Sequence, residues 1–200
     1  MEYIINDESI VFVMRNLIDS KYGHELKSQL ENIEWINYRL KNGNKIKLTR
    51  SIYILGDETI KNYPYTSLSH PVTDWNMVLN HEIKNVIDNF TSNEYIKSKY
   101  PGLTFNSCVI NKYANGNEFV APHSDDEAGG LMNAVVSISL GATRSFYLKS
   151  KNKRSPYIKI KLNHGDCLVM LNDTQKYYDH SVPSEKCNGS RISLTYRKID

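Results

Sequence analysis

The sequence predicts an α+β protein. A double-stranded β-helix (a jelly roll of two packed antiparallel sheets) occupies residues 101–200, and helices and a hairpin from residues 1–100 pack around it. Three observations carry this reading. From Phe105 onward, eight short strand-like segments follow one another, separated by turn residues and with no helical period between them. In the first hundred residues, apolar side chains recur at helical spacing. Between those stretches Asn42-Gly43 lies between strand-like arms, the strongest short hairpin signal. The chain has 200 residues, 40% of them hydrophobic and 24% charged, and no low-complexity tract, which suits a single domain over 1–200 with a real core.

Taken in order, NDESIVFVMRNLIDSKYG starts with acids, places Val11, Met14, Leu17 and Ile18 on one stripe and ends at Gly23, so a first helix is expected there. HELKSQLENIEW gives a second. Thr73 or Asp74 caps a third, in which Leu79, Ile83, Val86, Ile87 and Phe90 form one apolar stripe. The hairpin INYRLKNGNKIKLT carries Arg39, Lys41, Lys45 and Lys47 on its arms; these read either as solubilising edge lysines or as a contact for a polyanion. The eight later segments are FNSCVINKY, EFVA, AVVSISL, RSFYLKS, YIKIKL, CLVML, YDHSV and RISLTYR. Of these, CLVML reads as a buried central strand.

Composition removes several function classes. The N-terminal apolar run is broken by Arg15 and Asp19, so it is neither a signal peptide nor a membrane span, and an intracellular protein with no membrane role is expected. Three cysteines without CxxC spacing argue against a disulfide framework and a cysteine zinc site. A net charge of +3 is compatible with nucleic acid without requiring it.

The chemistry concentrates in the strand-rich half. On a strand, His123 and Asp125 in FVAPHSDDE point to one side and can converge on one ion. Of the six histidines, His180 in YYDHSVP, on a late strand that a jelly roll can fold back beside the first, is the best candidate for a third ligand. Two histidines and a carboxylate form the facial triad of non-haem Fe(II) oxygenases, although the ligand set alone also suits a zinc hydrolase. In RISLTYR, Arg191, Ser193, Thr195 and Arg197 share one face, and Ile192, Leu194 and Tyr196 share the other. With the polar set turned into the barrel, a guanidinium fork would meet a dicarboxylate. Asn111 and Tyr113 likewise share a face of FNSCVINKY, while His164, Gly165 and Asp166 read as a turn that starts the CLVML strand.

These residues, in the order NxY, HxD, strand histidine and Arg-rich last strand, give the chain a specific resemblance. Through VINKYANGNEFVAPHSDDE, VVSISLGATRSFYL, HGDCLVML, YYDHSVP and RISLTYRK it resembles the AlkB family of Fe(II)- and 2-oxoglutarate-dependent dioxygenases, most of all its animal DNA-repair branch. A fainter likeness runs through RSIYILGD and YPYTSLSHPVTDW, where that family forms a nucleotide-recognition lid. The resemblance implies iron at His123, Asp125 and His180. It implies 2-oxoglutarate at Asn111, Tyr113 and Arg191, with Ser193, Thr195 and Arg197 completing the pocket. Substrate contacts would come from Arg50, Tyr65, Thr66, Asp126 and Glu127.

The implied reaction is oxidative demethylation of 1-methyladenine and 3-methylcytosine in DNA or RNA by a monomeric enzyme. Alternatives are a 2-oxoglutarate-dependent hydroxylase of a protein or small molecule, and a nucleic-acid-binding module with a decayed iron site. Two positions depart from the family pattern: Ser193 stands where many members have Asn, and the hairpin tip LKNGNK lacks the bulky wedge that pries a duplex open. The second departure favours single-stranded substrates, from which a base is extruded at lower cost.

Overall fold

The computed structural model describes residues 1–41, 44–65, 68–125, 133–152 and 156–199, with the side chains of 38–45, 62 and 64–70 also outside the description. The chain opens with a hairpin, β1 (Glu2–Asn6) and β2 (Ser9–Met14), where a helix is expected. The stripe Val11, Met14, Leu17 and Ile18 fits a helix, but Ile10-Val11-Phe12-Val13 is a β-branched and aromatic run that packs better on a pleated surface. Val11, Phe12 and Val13 are fully buried because β2 lies inside the sheet and is covered on both faces. The acids at its start form the turn: Asp7 Oδ1 accepts from the Ser9 N–H at 2.8 Å.

The second expected helix is α1 (Ser20–Glu31), which starts and ends four residues before HELKSQLENIEW because Asp19 caps it through the N–H groups of Lys21 and Tyr22. Gly23 therefore lies inside α1 rather than ending a helix. A Cβ there would sit 2.7 Å from the His164 ring, so the glycine permits close packing. The predicted hairpin is formed by β3 (Ile36–Lys41) and β4 (Asn44–Gly56), with Lys41 opposite Asn44 as the last pair. Its tip and the side chains of Arg39, Lys41 and Lys45 lie outside the described residues; Lys47 is exposed.

After β5 (Asn62–Tyr65), β6 (Leu68–Pro71) and β7 (Thr73–Asp74), Asp74 caps only a short 3-10 turn. Left-handed backbone at Leu79, Asn80 and His81 then delays α2 to Glu82–Ser92. Ile83, Val86, Ile87 and Phe90 form its buried face, as their spacing predicts. The short α3 (Glu94–Lys99), capped by Asn93, was not expected from the sequence.

All eight predicted later strands are present: β8 (Ser107–Tyr113), β9 (Val120–His123), β10 (Ala134–Gly141), β11 (Arg144–Ser150), β12 (Ile158–Leu162), β13 (Cys167–Asn172), β14 (Tyr178–Val182) and β15 (Arg191–Arg197). One unpredicted helical turn, α4 (Thr174–Tyr177), separates β13 from β14. Among the described residues the larger sheet runs β1-β2-β13-β10-β15-β8-β4-β3, with β7 beside β4, and the smaller sheet runs β12-β11-β14-β9. The two halves of the jelly roll are thus β13-β10-β15-β8 and β12-β11-β14-β9, extended at both ends of the large sheet by N-terminal strands.

The large sheet is buried on both faces. Its outer face packs Val136, Ile138, Leu140, Ile192, Leu194 and Tyr196 against the apolar stripes of α1 and α2. Its inner face is apolar near β2 and β13, where Val11, Val13, Leu168 and Met170 meet Phe146, Leu148 and Ile160. Toward β15 and β8 that face becomes polar, and a cleft opens.

Candidate metal centre and co-substrate cleft

The cleft has an empty volume, open mouth included, of about 480 Å³. Strand register builds its floor. Across β8, β15 and β10, Tyr113 lies opposite Arg191 and Gly141, Asn111 opposite Ser193 and Ser139, and Val109 opposite Thr195 and Ser137. The inward face of β15 is therefore the polar one, and Arg191, Ser193, Thr195 and Arg197 all line the cleft.

At the cleft wall His123 on β9 and His180 on β14 are directly paired, with ring centres 4.3 Å apart. Asp125 follows β9, and one ligand atom from each of His123, Asp125 and His180 lies within 4.8 Å of the others. Asp125 Oδ1 is 3.6 Å from His123 Nε2 and 3.7 Å from His180 Nε2. The Nδ1–H of His123 donates to the Ala121 carbonyl at 2.8 Å, which turns the lone pair of Nε2 toward the site. His180 stacks on Phe146 with centroids 5.4 Å apart.

The motif is braced from behind. The Asp125 N–H donates to Gln175 Oε1 at 3.0 Å, and Ser124, facing away from the metal side, donates to Asp179 Oδ1 at 2.9 Å.

The electrostatics suit metal ligation. Burial alone would push the Asp125 carboxyl up; Arg197, then His180 and His123, overcome this and hold it far below the carboxylate range, so it is ionised. Burial pushes His180 down to about 3, so it is neutral and carries a lone pair at pH 7. Among the described residues Asp125 Oδ2 has no hydrogen-bond partner although it is buried. An ionised carboxylate with a free oxygen beside two imidazoles, that of His180 held neutral by burial, is a donor set for a divalent cation.

The other end of the cleft is cationic. Arg191 is buried, its Nη2 donates to Ser139 Oγ at 2.8 Å, and its guanidinium carbon is 5.3 Å from the centre of the Tyr113 ring. Its Nε and Nη1 have no hydrogen-bond acceptor among the described residues, and no carboxylate there pairs with it. Burial lowers its pKa. A buried guanidinium left in this way costs several kcal/mol unless an anion meets it.

Two of the expected residues line the cleft and also bond to neighbours within the chain. Arg197 gives Nη2 to Asp125 at 2.7 Å and Nη1 to the Tyr63 hydroxyl at 3.1 Å, so these two bonds orient the Asp125 carboxylate while the side chain lines the cleft. Arg50, expected on the substrate wall, is buried in the cleft and donates Nε to Asn111 Oδ1 at 2.6 Å. That bond fixes the Asn111 amide with its NH2 available as donor. Thr66, Asp126 and Glu127 lie outside the described residues, as does the side chain of Tyr65.

Sequence reasoning missed Tyr63, Gln175, Ser137, Ser139 and Phe146. The two serines had a signal, since alternation in AVVSISL puts them on one face.

A jelly roll with this donor set and a buried arginine at the far end of its cleft defines a class. Residues 11–197 match the family model described as the 2OG-Fe(II) oxygenase superfamily, and the chain belongs to it. Fe(II) and 2-oxoglutarate, which the superfamily's name carries, both fit the residues present.

Within that class the chain is AlkB-like. It is 34% identical over 148 residues to human "Alpha-ketoglutarate-dependent dioxygenase alkB homolog 3", a match covering 68% of this chain and 48% of the relative. It is 35% identical over 107 residues to "DNA oxidative demethylase ALKBH2" of Bos taurus, covering 49% and 38% respectively. The chain thus matches less than half the length of either relative. The fold is shared with the solved structure of OsALKBH1, at a TM-score of 0.60, 17% identity and coverage of 94% of this chain and 97% of that one. A 2OG-Fe(II) oxygenase-family oxidoreductase from Burkholderia pseudomallei shares it at a TM-score of 0.57 and 15% identity, covering 95% and 84%.

Proposed function

We propose that the protein is an oxidative demethylase of N-alkylated bases, 1-methyladenine and 3-methylcytosine, in single-stranded DNA or RNA. The observation that carries this is the pairing of the His123, Asp125 and His180 cluster with the buried Arg191, which meets no carboxylate among the described residues, in one cleft. The demethylases and dioxygenases among its relatives point the same way.

In this reading His123, Asp125 and His180 hold Fe(II). Arg191 and Tyr113 receive the distal carboxylate of 2-oxoglutarate, the Asn111 amide donates to its other end, and Ser193 and Thr195 line the floor. Arg197 keeps Asp125 ionised and oriented. When bound, iron and 2-oxoglutarate supply the oxidising chemistry with O2: the keto acid becomes succinate and CO2, and the N-methyl carbon is hydroxylated and leaves as formaldehyde. The chain's own work is to fix the carboxylates, exclude water from the buried end and place the methyl group.

Tyr65 and Thr66 in the lid, with Asp126 and Glu127 beside the metal motif, are assigned to the base. The basic sequence of the β3–β4 hairpin suits the phosphate backbone. Without a wedge at its tip, the base is taken from a single strand, where unstacking costs least.

A side-by-side panel of methylated single-stranded and duplex DNA and RNA tests this, with succinate and formaldehyde measured together. Equal yields of the two products, highest on single strands, are expected. Succinate formed without loss of methyl from any nucleic acid would move the substrate to a protein or small molecule.

A further inference from the structure

We propose that Arg144 is a positioning residue for the co-substrate: through Tyr113 it holds the end of the cleft where Arg191 meets the distal carboxylate of 2-oxoglutarate. This rests on the reading that Tyr113 and Arg191 bind that carboxylate. Arg144 starts β11, is 1% exposed and is in none of the metal, co-substrate or substrate sets assigned from the sequence. Its Nη1 donates to the Asn115 carbonyl at 3.2 Å. Its Nη2 donates to the carbonyls of Glu118 at 2.8 Å and Pro183 at 2.6 Å. One planar fork therefore joins the loop between β8 and β9 to the segment that follows β14, which a Lys ammonium could not do in the same geometry.

The junction has a carboxylate lock. Glu185 Oε1 is 3.4 Å from Arg144 Nε, and the same carboxylate accepts from the Ser145 N–H and hydroxyl at 2.5 and 2.7 Å. The backbone N–H of Glu185 reaches the Gly116 carbonyl at 2.9 Å. A side chain at Gly116 is excluded, since its Cβ would fall 1.9 Å from the Glu185 carbonyl oxygen. On its other side the loop is tied to β4, where the Thr49 hydroxyl donates to the Phe119 carbonyl at 2.7 Å.

This assembly lies against the co-substrate end. The guanidinium carbons of Arg144 and Arg191 are each 5.3 Å from the centre of the Tyr113 ring. Glu185 pairs with Arg144, while no carboxylate among the described residues pairs with Arg191. The positive charge left for a ligand is therefore that of Arg191, and the Tyr113 ring beside it is held by Arg144. A dicarboxylate bound by two donors is sensitive to errors of about 0.5 Å in either, so releasing the ring weakens binding at this end alone.

Calorimetric titration of the metal-loaded protein under anaerobic conditions tests this with two probes. 2-Oxoglutarate has the distal carboxylate; oxalate presents only the metal-chelating end. For Arg144→Met the expected result is 2-oxoglutarate bound about tenfold more weakly, with oxalate within about twofold of wild type. The KM for 2-oxoglutarate rises while kcat is retained. Arg144→Lys falls between the two proteins and carries the same comparison if Arg144→Met does not fold.

Unchanged 2-oxoglutarate affinity, or equal losses for both probes, would overturn the proposal, the second because it marks a purely structural role. Arg191→Met separates the levels. If it too binds 2-oxoglutarate normally, the reading of the pocket fails; if it alone loses binding, only the role of Arg144 fails.

Discussion

Strand β15 is buried along both faces, and different physics holds each. Ile192, Leu194 and Tyr196 are fully buried against the helices, and the Tyr196 hydroxyl finds the Ile83 carbonyl at 2.7 Å, so this face is satisfied by packing and one hydrogen bond. Arg191, Ser193, Thr195 and Arg197 face the cleft, where two guanidinium nitrogens of Arg191, Nε and Nη1, have no acceptors among the described residues. On the helix side, burial removes apolar surface from water and stabilises the fold. On the cleft side, burial desolvates charge and costs stability, a cost that an anionic ligand would offset. A strand that places alternate residues on opposite faces joins a structural layer to a binding layer without a loop between them.

Substitutions on and around the two faces should therefore separate stability from ligand affinity. The largest effect is expected at the metal end. Asp125→Ala should lower metal affinity and turnover by more than about a hundredfold, beyond what changes behind a ligand give, as read by metal titration and succinate release. Next, Leu194→Ala on the helix side should cost about 2–5 kcal/mol in urea unfolding, with the KM for 2-oxoglutarate unchanged in the protein that remains folded. Arg191→Met should do the reverse, losing about 1.5–3 kcal/mol of co-substrate binding while the apo protein melts at the same temperature or higher. If Leu194→Ala and Arg191→Met shifted stability and KM alike, the distinction between the faces would be wrong.

The smallest effect lies away from both faces, at Glu31 at the end of α1. Burial would raise its carboxyl, but bonds from Lys112, Lys27 and Ser190 outweigh it and bring the pKa down to about 2. A lowered folded-state pKa contributes stability that is fully present above the unfolded value of about 4.3 and is lost as pH falls toward 2. Glu31→Gln should remove that part of the slope between pH 4.3 and 2 in urea midpoints. The effect should be under about 1 kcal/mol, because the cluster is partly exposed.

The strand half was legible because its signals are local: period-2 alternation in segments such as β10 and β15, and a short continuous apolar run in β13. The His123, Asp125 and His180 cluster was legible only in part for the same reason: β14 returns His180 opposite His123, but β9 ends at His123 and Asp125 reaches the cluster from just beyond it. The N-terminal half was harder. Ile10 to Met14 satisfies a helical stripe as well as a strand, and pairing with β1 and β13 decides between them. Gly23 reads as a stop, yet it is a packing contact with His164. Arg144, Tyr63 and Gln175 carried no local signal because their partners are far away in the chain: Arg197 with Tyr63, Gln175 with Asp125, and Arg144 with Pro183.

The central claim, that one cleft holds iron at His123, Asp125 and His180 and a dicarboxylate at Arg191, is most directly tested by titrating 2-oxoglutarate into the wild-type protein with and without Fe(II) under anaerobic conditions, alongside Asp125→Ala and Arg191→Met. One equivalent should bind, more tightly when Fe(II) is present. Asp125→Ala should lose the metal dependence, and Arg191→Met should lose most of the affinity in either condition. Equal affinity in all three proteins, indifferent to iron, would contradict the claim.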